Sequence, residues 1–428
     1  MTGFLKELGL DPQLFLIAAA LSAAVFIFAF RKFLFNVFDP LAVFILSMVA
    51  SSTLVLALPW PDTLKVEFAL FAFCFWLGFI KRGHIPKNPS VLHFETIPTF
   101  EFEVMLLTLF VIIFAGNIYV GFTSGFPLLS SDPSITKVTI YTGGMGAIKR
   151  LDMLPYVFFC SGSVFMAVVG HKRRLFLILL IIASIMIALT GSKGALASPV
   201  FVLAFVVSHP GLIREKSSLA ERIKRYALLS LVVAITLALV IPIIDTGGVA
   251  TGLMALMKRV IFYGDIVLYY FPVRDTLVSG THPLDFPGYL FQSTLVMFRM
   301  IESSPSLGAV IMGSGEAGFG PNPQYFVLAD LFFGPVFGCG YCLLIGYLIA
   351  WMRRAFFSFS VGSPVKLVLR LTIAVSAFTL ATDAGLFVSQ LIDLFLIVAP
   401  LWLIAHTITV AIKNGISRAT VEYGSIPG

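Results

Sequence analysis

Charge is what this sequence holds least of. Only 12% of its 428 residues are Asp, Glu, Lys or Arg, against 58% hydrophobic; that excludes an ordinary soluble domain, in which about a quarter of the residues are charged. The net positive charge belongs largely to cytoplasmic loops, a solvated face rather than a nucleic-acid surface, so no such partner is expected. Cysteine and histidine are sparse as well, at four and six. Cys74, Cys160, Cys339 and Cys342 all fall inside apolar runs, where thiols behave as small hydrophobes, which argues against a disulfide framework and against a zinc site. Cys339 and Cys342 form a C-x-x-C, but no further Cys or His lies near them in sequence. The first apolar run has no A-x-A-like cleavage site after it and is expected to stay in the protein. Internal repeats and heptads are absent too.

What is present is hydrocarbon. A mean hydropathy of +0.98 predicts an all-α polytopic membrane protein, in which the bilayer takes the place of a core and one bundle uses nearly the whole chain. A single membrane domain over 1–428 is expected. With about 20 apolar residues per crossing, about 11 transmembrane helices are predicted, near 12–30, 40–58, 64–80, 104–122, 154–170, 175–190, 195–208, 226–244, 324–351, 367–382 and 386–411. The sixth and seventh are short and flank Gly191-Ser192-Lys193-Gly194, a pattern of helices that stop within the membrane at binding sites.

Basic residues set the orientation, because short cytoplasmic loops carry an excess of Lys and Arg. An outside N-terminus puts 19 of the 29 basic residues in cytoplasmic loops, Arg31, Lys32, Lys172, Arg353 and Arg354 among them. Topology therefore accounts for most of the net charge of +7. It does not account for Lys137, Lys149, Arg150, Lys193, Lys258, Arg259, Arg274 and Arg299, which fall on the outer side and call for an anion there.

Most of the polar interruption lies between the eighth and ninth spans, a large extracytoplasmic loop over 245–323. Within it the apolar segment Gly288 to Ile301 reads as an interfacial helix. Arg259, Gly264 and Asp265 are interleaved with Tyr263, Tyr269 and Tyr270. If that segment is helical, Arg259 shares a face with Tyr263 and Asp265 with Tyr269. A guanidinium matches phosphate oxygens and aromatic faces accept sugars; the competing reading is an Arg–Asp pair that merely holds the loop. Arg299 either binds an anion or snorkels to headgroups, and Lys193 sits at a turn whose free N–H groups suit an anion. Gly313, Gly315 and Gly318 spell G-x-G-x-x-G around Glu316, but without the strand and helix that a dinucleotide fold requires. A mobile loop is the better reading, with Glu316 as a candidate general base. His282 is a third candidate base beside Asp265 and Glu316. Asp330, Asp383, Gln390 and Asp393 lie in or at the ends of spans, where carboxylates pair with a cation or line a wet cavity; the competing reading is that they merely neutralise Arg259 or Arg299 and fix the bundle.

These residues resemble the oligosaccharide repeat-unit polymerases, or O-antigen polymerases, of bacterial envelopes. The likeness covers roughly 185 to 350 and rests on three features: Arg259 followed by Gly264-Asp265 and Tyr269, Tyr270 and Pro272; a Gly-rich loop with Asn322 leading into QYFVLADLFFGPVFG with Gly334 and Gly338; and LTGSKGALA at Leu189 to Ala197. Members of the family often have both ends in the cytoplasm, unlike the orientation above. The resemblance implies a metal-independent glycosyltransferase of the inner membrane, with no cofactor, acting at the periplasmic face. Its partners would be undecaprenyl-pyrophosphate-linked oligosaccharides, membrane lipids and a chain-length regulator protein. In that scheme Arg259, Arg299, Lys193, Arg274, Lys149 and Arg150 bind pyrophosphate. Tyr263, Tyr269, Tyr270 and Asn322 bind sugar, and Asp265, Glu316 or His282 takes the acceptor proton. An O-antigen ligase and a secondary transporter are the rival expectations; the transporter would favour inverted repeats and polar residues at the midplane.

Overall fold

The computed structural model describes residues 10–36, 38–84, 100–130, 136, 146–191, 193–209, 243, 247–249, 251–252, 263–279, 285–301, 306–313, 321–358 and 363–423. For residues 147, 193–196 and 413–423 the description is limited to the backbone. Among these residues all regular structure is helical: α1 Pro12–Phe30, α2 Pro40–Ala57, α3 Asp62–Ile80, α4 Phe100–Ser124, α5 Gly146–Leu151, α6 Leu154–Val169, α7 Arg173–Leu189, α8 Lys193–Ser208, α9 Ile266–Ser279, α10 Phe286–Met297, α11 Leu307–Met312, α12 Tyr325–Phe357, α13 Pro364–Ser376, α14 Thr379–Thr382 and α15 Ala384–Tyr423. Eight helices or helix runs among the described residues are long and apolar enough to cross a membrane: α1, α2, α3, Phe100–Leu129, Ile148–Val169, α12, Pro364–Thr382 and Ala384–Ile412. The expected sixth and seventh spans are the 17-residue α7 and the 16-residue α8. The eighth, 226–244, lies outside the described residues apart from Ile243.

Helix starts follow their sequence signals. Asp11 and Asp39 each precede a proline, which fits the first helical position, and each carboxylate accepts an N–H of the first turn, from Gln13 at 2.8 Å and from Leu41 at 2.9 Å. Asp285 does the same for α10, accepting from Gly288 N–H at 2.7 Å.

Contacts divide the chain into two compact units. One comprises Met1–Ser90, Val207–Ser358 and Ile373–Ser389; the other comprises Val91–Val206, Phe359–Thr372 and Gln390–Gly428. In the first unit α3 and α12 cross at very close range. A Cβ on Gly78 would collide with the Leu343 carbonyl oxygen, and one on Gly346 with that of Phe75. Small residues at a crossing let helices meet where lipid supplies no hydrophobic drive. Around that crossing Phe30, Phe44, Phe75, Phe79, Tyr325 and Phe378 form a continuous aromatic core. In the second unit α6 is the central helix, buried along almost its whole length. Asn117 donates to Asp152 at 2.7 Å, and Glu103 accepts from Lys172 and meets His171 at 3.1 Å.

Candidate functional site

The two segments that carry the family resemblance meet in the first unit. Residues 263–265 form a turn rather than a helix, and α9 starts at Ile266. The shared helical face expected for Asp265 and Tyr269 is therefore lost, and Asp265 sits at the start of α9, its carbonyl accepting Leu268 N–H at 2.8 Å. This turn lies hard against α2: a Cβ on Gly264 would collide with the Ser51 backbone nitrogen. Gln324, just ahead of α12, locks it there. Its amide donates to the Tyr263 carbonyl at 2.7 Å and to Ser47 Oγ at 3.0 Å, and its carbonyl accepts from Ser51 Oγ at 2.9 Å.

About two turns further along, α9 and α12 are joined by charge. Arg274 Nε and Nη2 clasp Asp330 at 2.5 and 2.7 Å, a side-on bidentate pair of the strong kind. Nη2 also reaches Glu67 Oε2 of α3 at 3.2 Å, Nη1 points to exposed Asp275 at 3.4 Å, and the Tyr270 hydroxyl donates to Asp330 at 2.8 Å. Glu67, Phe68, Phe71, Tyr270, Phe326 and Asp330 line a small cavity there. Glu67 Oε1 is buried in it with no hydrogen-bond partner.

Four residues beyond Asp330, α12 breaks. Gly334 has φ +66° and ψ −176°, a conformation essentially restricted to glycine, and Pro335 follows. Backbone groups freed inside a membrane-length helix are the construction found at transporter and ion sites. α10 packs beside the break, with Phe286 and Tyr289 against Phe332 and Phe286 against Phe333. The Tyr289 hydroxyl donates to Asp383 at 2.9 Å, and Asp383 caps α15 by accepting Leu386 N–H at 2.8 Å.

The expected site residues fare differently. Asp265 is half-buried, and loss of solvent pushes its carboxyl up to about 6. Tyr263 is 51% exposed and Asn322 is exposed, so both present surface. Tyr269 is half-buried. Tyr270 is fully buried, which corrects its expected role as a sugar platform: its ring is enclosed and its hydroxyl holds Asp330. Arg274 is likewise engaged by carboxylates rather than open to an anion. Asp330 therefore pairs with Arg274, and Asp393 with Arg150 at 2.7 Å within the second unit, not with Arg259 or Arg299. Lys149, in α5 of that unit, is exposed; Lys193 begins α8, and its side chain lies outside the described residues, as do Arg259, Glu316 and His282 entirely. Sequence reasoning misses Glu67 and Gln324. Glu67 could have been found by the same signal that flags Asp330, a carboxylate inside an apolar run.

Arg299 is the expected anion ligand of the first unit that is described with an open side chain. The predicted interfacial segment is helical over Phe286–Met297 and ends in a Schellman turn: Met300 N–H donates to Leu295 O at 2.9 Å and Arg299 N–H to Val296 O at 3.0 Å. Arg299 occupies the left-handed position of that turn, with φ +56°, where glycine is the usual residue. Its side chain is exposed between Phe298 and Met300, themselves 57% and 70% exposed. An L-residue in this conformation costs about 1 kcal/mol, so Arg299→Gly is expected to raise the thermal unfolding midpoint in detergent while Arg299→Ala leaves it unchanged or lower. Equal midpoints for the two variants would remove the backbone argument. Comparison of the whole chain with protein-family models, curated proteins and solved structures returns no match.

Proposed function

We propose that this protein is an oligosaccharide repeat-unit polymerase that joins undecaprenyl-pyrophosphate-linked glycans at the outer face of the bacterial inner membrane. The observation that carries the reading is the junction of the two resemblance segments, Tyr263–Gln324 and Tyr270/Arg274–Asp330, beside a broken membrane helix. Composition alone does not call for that junction; a site that handles a polar substrate at membrane level does. The acceptor hydroxyl oxygen attacks the anomeric carbon of the donor, the bond from that carbon to pyrophosphate oxygen breaks, and Asp265 takes the hydroxyl proton. The departing lipid pyrophosphate gains negative charge, which prearranged cations stabilise. Arg299 and Arg259 supply them, Tyr263 and Asn322 offer exposed polar and aromatic contacts to sugar, and a chain-length regulator is the expected protein partner.

The test is the product made in a strain lacking the chain's gene. Restoring the gene should yield a polymer ladder, and its absence should leave single-repeat caps. A strain with no caps at all would mean a ligase, and proton- or sodium-coupled uptake in proteoliposomes would mean a transporter. Arg299→Gly and Arg259→Ala should shorten or abolish the ladder; unaltered length and yield in both would remove those residues from the site.

Asp265 makes a separate prediction about pH. As a base it must be ionised, so wild-type polymerisation should fall as pH drops through about 6, and Asp265→Asn should be inactive across the range. The stability contribution runs the other way. A carboxyl whose folded pKa is raised binds its proton more tightly in the folded state, so its stabilisation is present below the unfolded value, about 3.9, and is lost as pH rises through about 6. A wild-type activity profile flat through pH 6 would exclude Asp265 as the base.

A further inference from the structure

A groove of about 820 Å³ runs between α1, α2 and α3, walled by Phe26, Phe28, Phe33, Phe73, Trp76 and Ile80. That volume lies in the range of clefts that enclose most of a small ligand. The flanking Leu21, Val25, Phe28 and Phe73 are each more than half exposed, so the groove opens sideways, toward hydrocarbon. Its charged groups gather at the mouths, while the buried Ser22 and Ser52 lie between them. Arg31, Lys32 and His84 line one end and Lys65 the other. Arg31 and Lys32 are exposed and have no carboxylate partner among the described residues. The Arg31 guanidinium stands 4.5 Å from the Phe28 ring centre and the His84 ring 4.6 Å from that of Phe33, both over the groove wall. Membrane orientation accounts for cations on this side of the chain but not for two of them converging with an imidazole on an apolar groove.

We propose that the groove is a binding site for an anionic phospholipid, with its phosphate at Arg31, Lys32 and His84 and one acyl chain lying along α3. The match is chemical at both ends: an apolar chain for an aromatic wall, and a negatively charged headgroup for a mouth that carries two permanent positive charges. A zwitterionic lipid would fill the groove equally well but leave the mouth unneutralised. One basic residue near an anionic surface favours it by roughly fivefold, so two should give a preference well above that of the general lipid annulus. The site does not depend on the proposed polymerase chemistry, and an inactive protein would keep it.

Trp76 provides the probe. It lines the groove, and its indole N–H donates to the Ala29 carbonyl at 3.2 Å, which holds the ring in place. With Trp60→Phe, Trp351→Phe and Trp402→Phe it becomes the sole tryptophan of the full chain. That protein, in phosphatidylcholine nanodiscs, is titrated with phosphatidylglycerol or phosphatidylcholine carrying brominated acyl chains, which quench a tryptophan they touch. The expected result is quenching by phosphatidylglycerol at a mole fraction at least about fivefold lower than by phosphatidylcholine. The preference should disappear in R31Q/K32Q and persist in R31K/K32R and in K65Q. Equal quenching by the two lipids means an ordinary annulus, and no quenching by either means that protein fills the groove; each overturns the proposal, as does an undiminished preference in R31Q/K32Q. Should the tryptophan replacements unfold the protein, native mass spectrometry of the chain with its four tryptophans separates the same outcomes, by comparing retention of the two lipids with and without R31Q/K32Q.

Discussion

Asp330→Ala is expected to unfold the site and end polymer formation, at a cost of about 3–5 kcal/mol for breaking a buried ion pair. Asp330 is only 5% exposed, and its two oxygens receive Arg274 twice and the Tyr270 hydroxyl. Removing it leaves Arg274 leaning on Glu67 at 3.2 Å and orphans a buried hydroxyl. Loss of the hydroxyl alone, in Tyr270→Phe, should cost about 1 kcal/mol. The informative variant is the double replacement R274M/D330L, because apolar side chains of similar volume often substitute for a buried pair without loss of stability. It is expected to recover the wild-type unfolding midpoint yet to make polymer at least about tenfold more slowly, a barrier increase of roughly 1.4 kcal/mol, because the cavity then carries Glu67 without the Arg274 that holds it at 3.2 Å. A double variant that folds and makes polymer at the wild-type rate would show that these residues only join helices, and the site would have to be sought nearer Asp265 and Arg299.

How much of this arrangement could be read from the sequence depends on the range of the interaction. Helices α1, α2 and α3 were legible almost residue by residue, because hydropathy sets their length and the Asp-Pro pairs at Asp11-Pro12 and Asp39-Pro40 mark two of the starts. Gly334 was marked only by the family resemblance; the break in α12 that it makes with Pro335 was not read from the sequence. The different fates of Tyr263 and Tyr270 were not legible, since the sequence reading assigns both to sugar; only with α9 starting at Ile266 do Tyr270 and Arg274 stand four apart on one face, where one partner holds both. The identity of that partner was not legible. Asp330 lies 56 residues from Arg274 in sequence and Glu67 lies 207 residues away, and no local pattern encodes such pairings. Glu67 was open to the signal that flags Asp330, a carboxylate inside an apolar run, but its partner was not. Arg353 misleads. Adjacent to Arg354 at a span end, it has the sequence appearance of a topogenic charge, yet it is 3% exposed.

That buried arginine gives the second large prediction. Arg353 Nη2 donates to the Asp39 carboxylate and to the Phe33 carbonyl, the latter at 3.4 Å, while Nε and Nη1 have no hydrogen-bond partner. Three rings compensate in part, with the guanidinium carbon 5.6 Å from the centres of Phe35 and Phe79 and 5.4 Å from that of Phe378, distances at which a cation gains from a ring face. Asp39 is completely buried and also caps α2, so Asp39→Ala removes a cap worth about 1 kcal/mol and strands a cation for about 3–5 kcal/mol more. Asp39→Asn keeps the cap geometry and loses the charge, and should fall between Asp39→Ala and wild type. Replacing both partners, as D39S/R353L, restores a capping hydroxyl, removes the stranded charge, and should recover most of the loss. Thermal unfolding of wild type, D39S, R353L and D39S/R353L in one detergent forms the cycle. Strongly non-additive losses are the expected outcome; additive losses would mean that Asp39 and Arg353 do not stabilise each other, and that the aromatic rings alone are sufficient for a buried arginine at the end of α12.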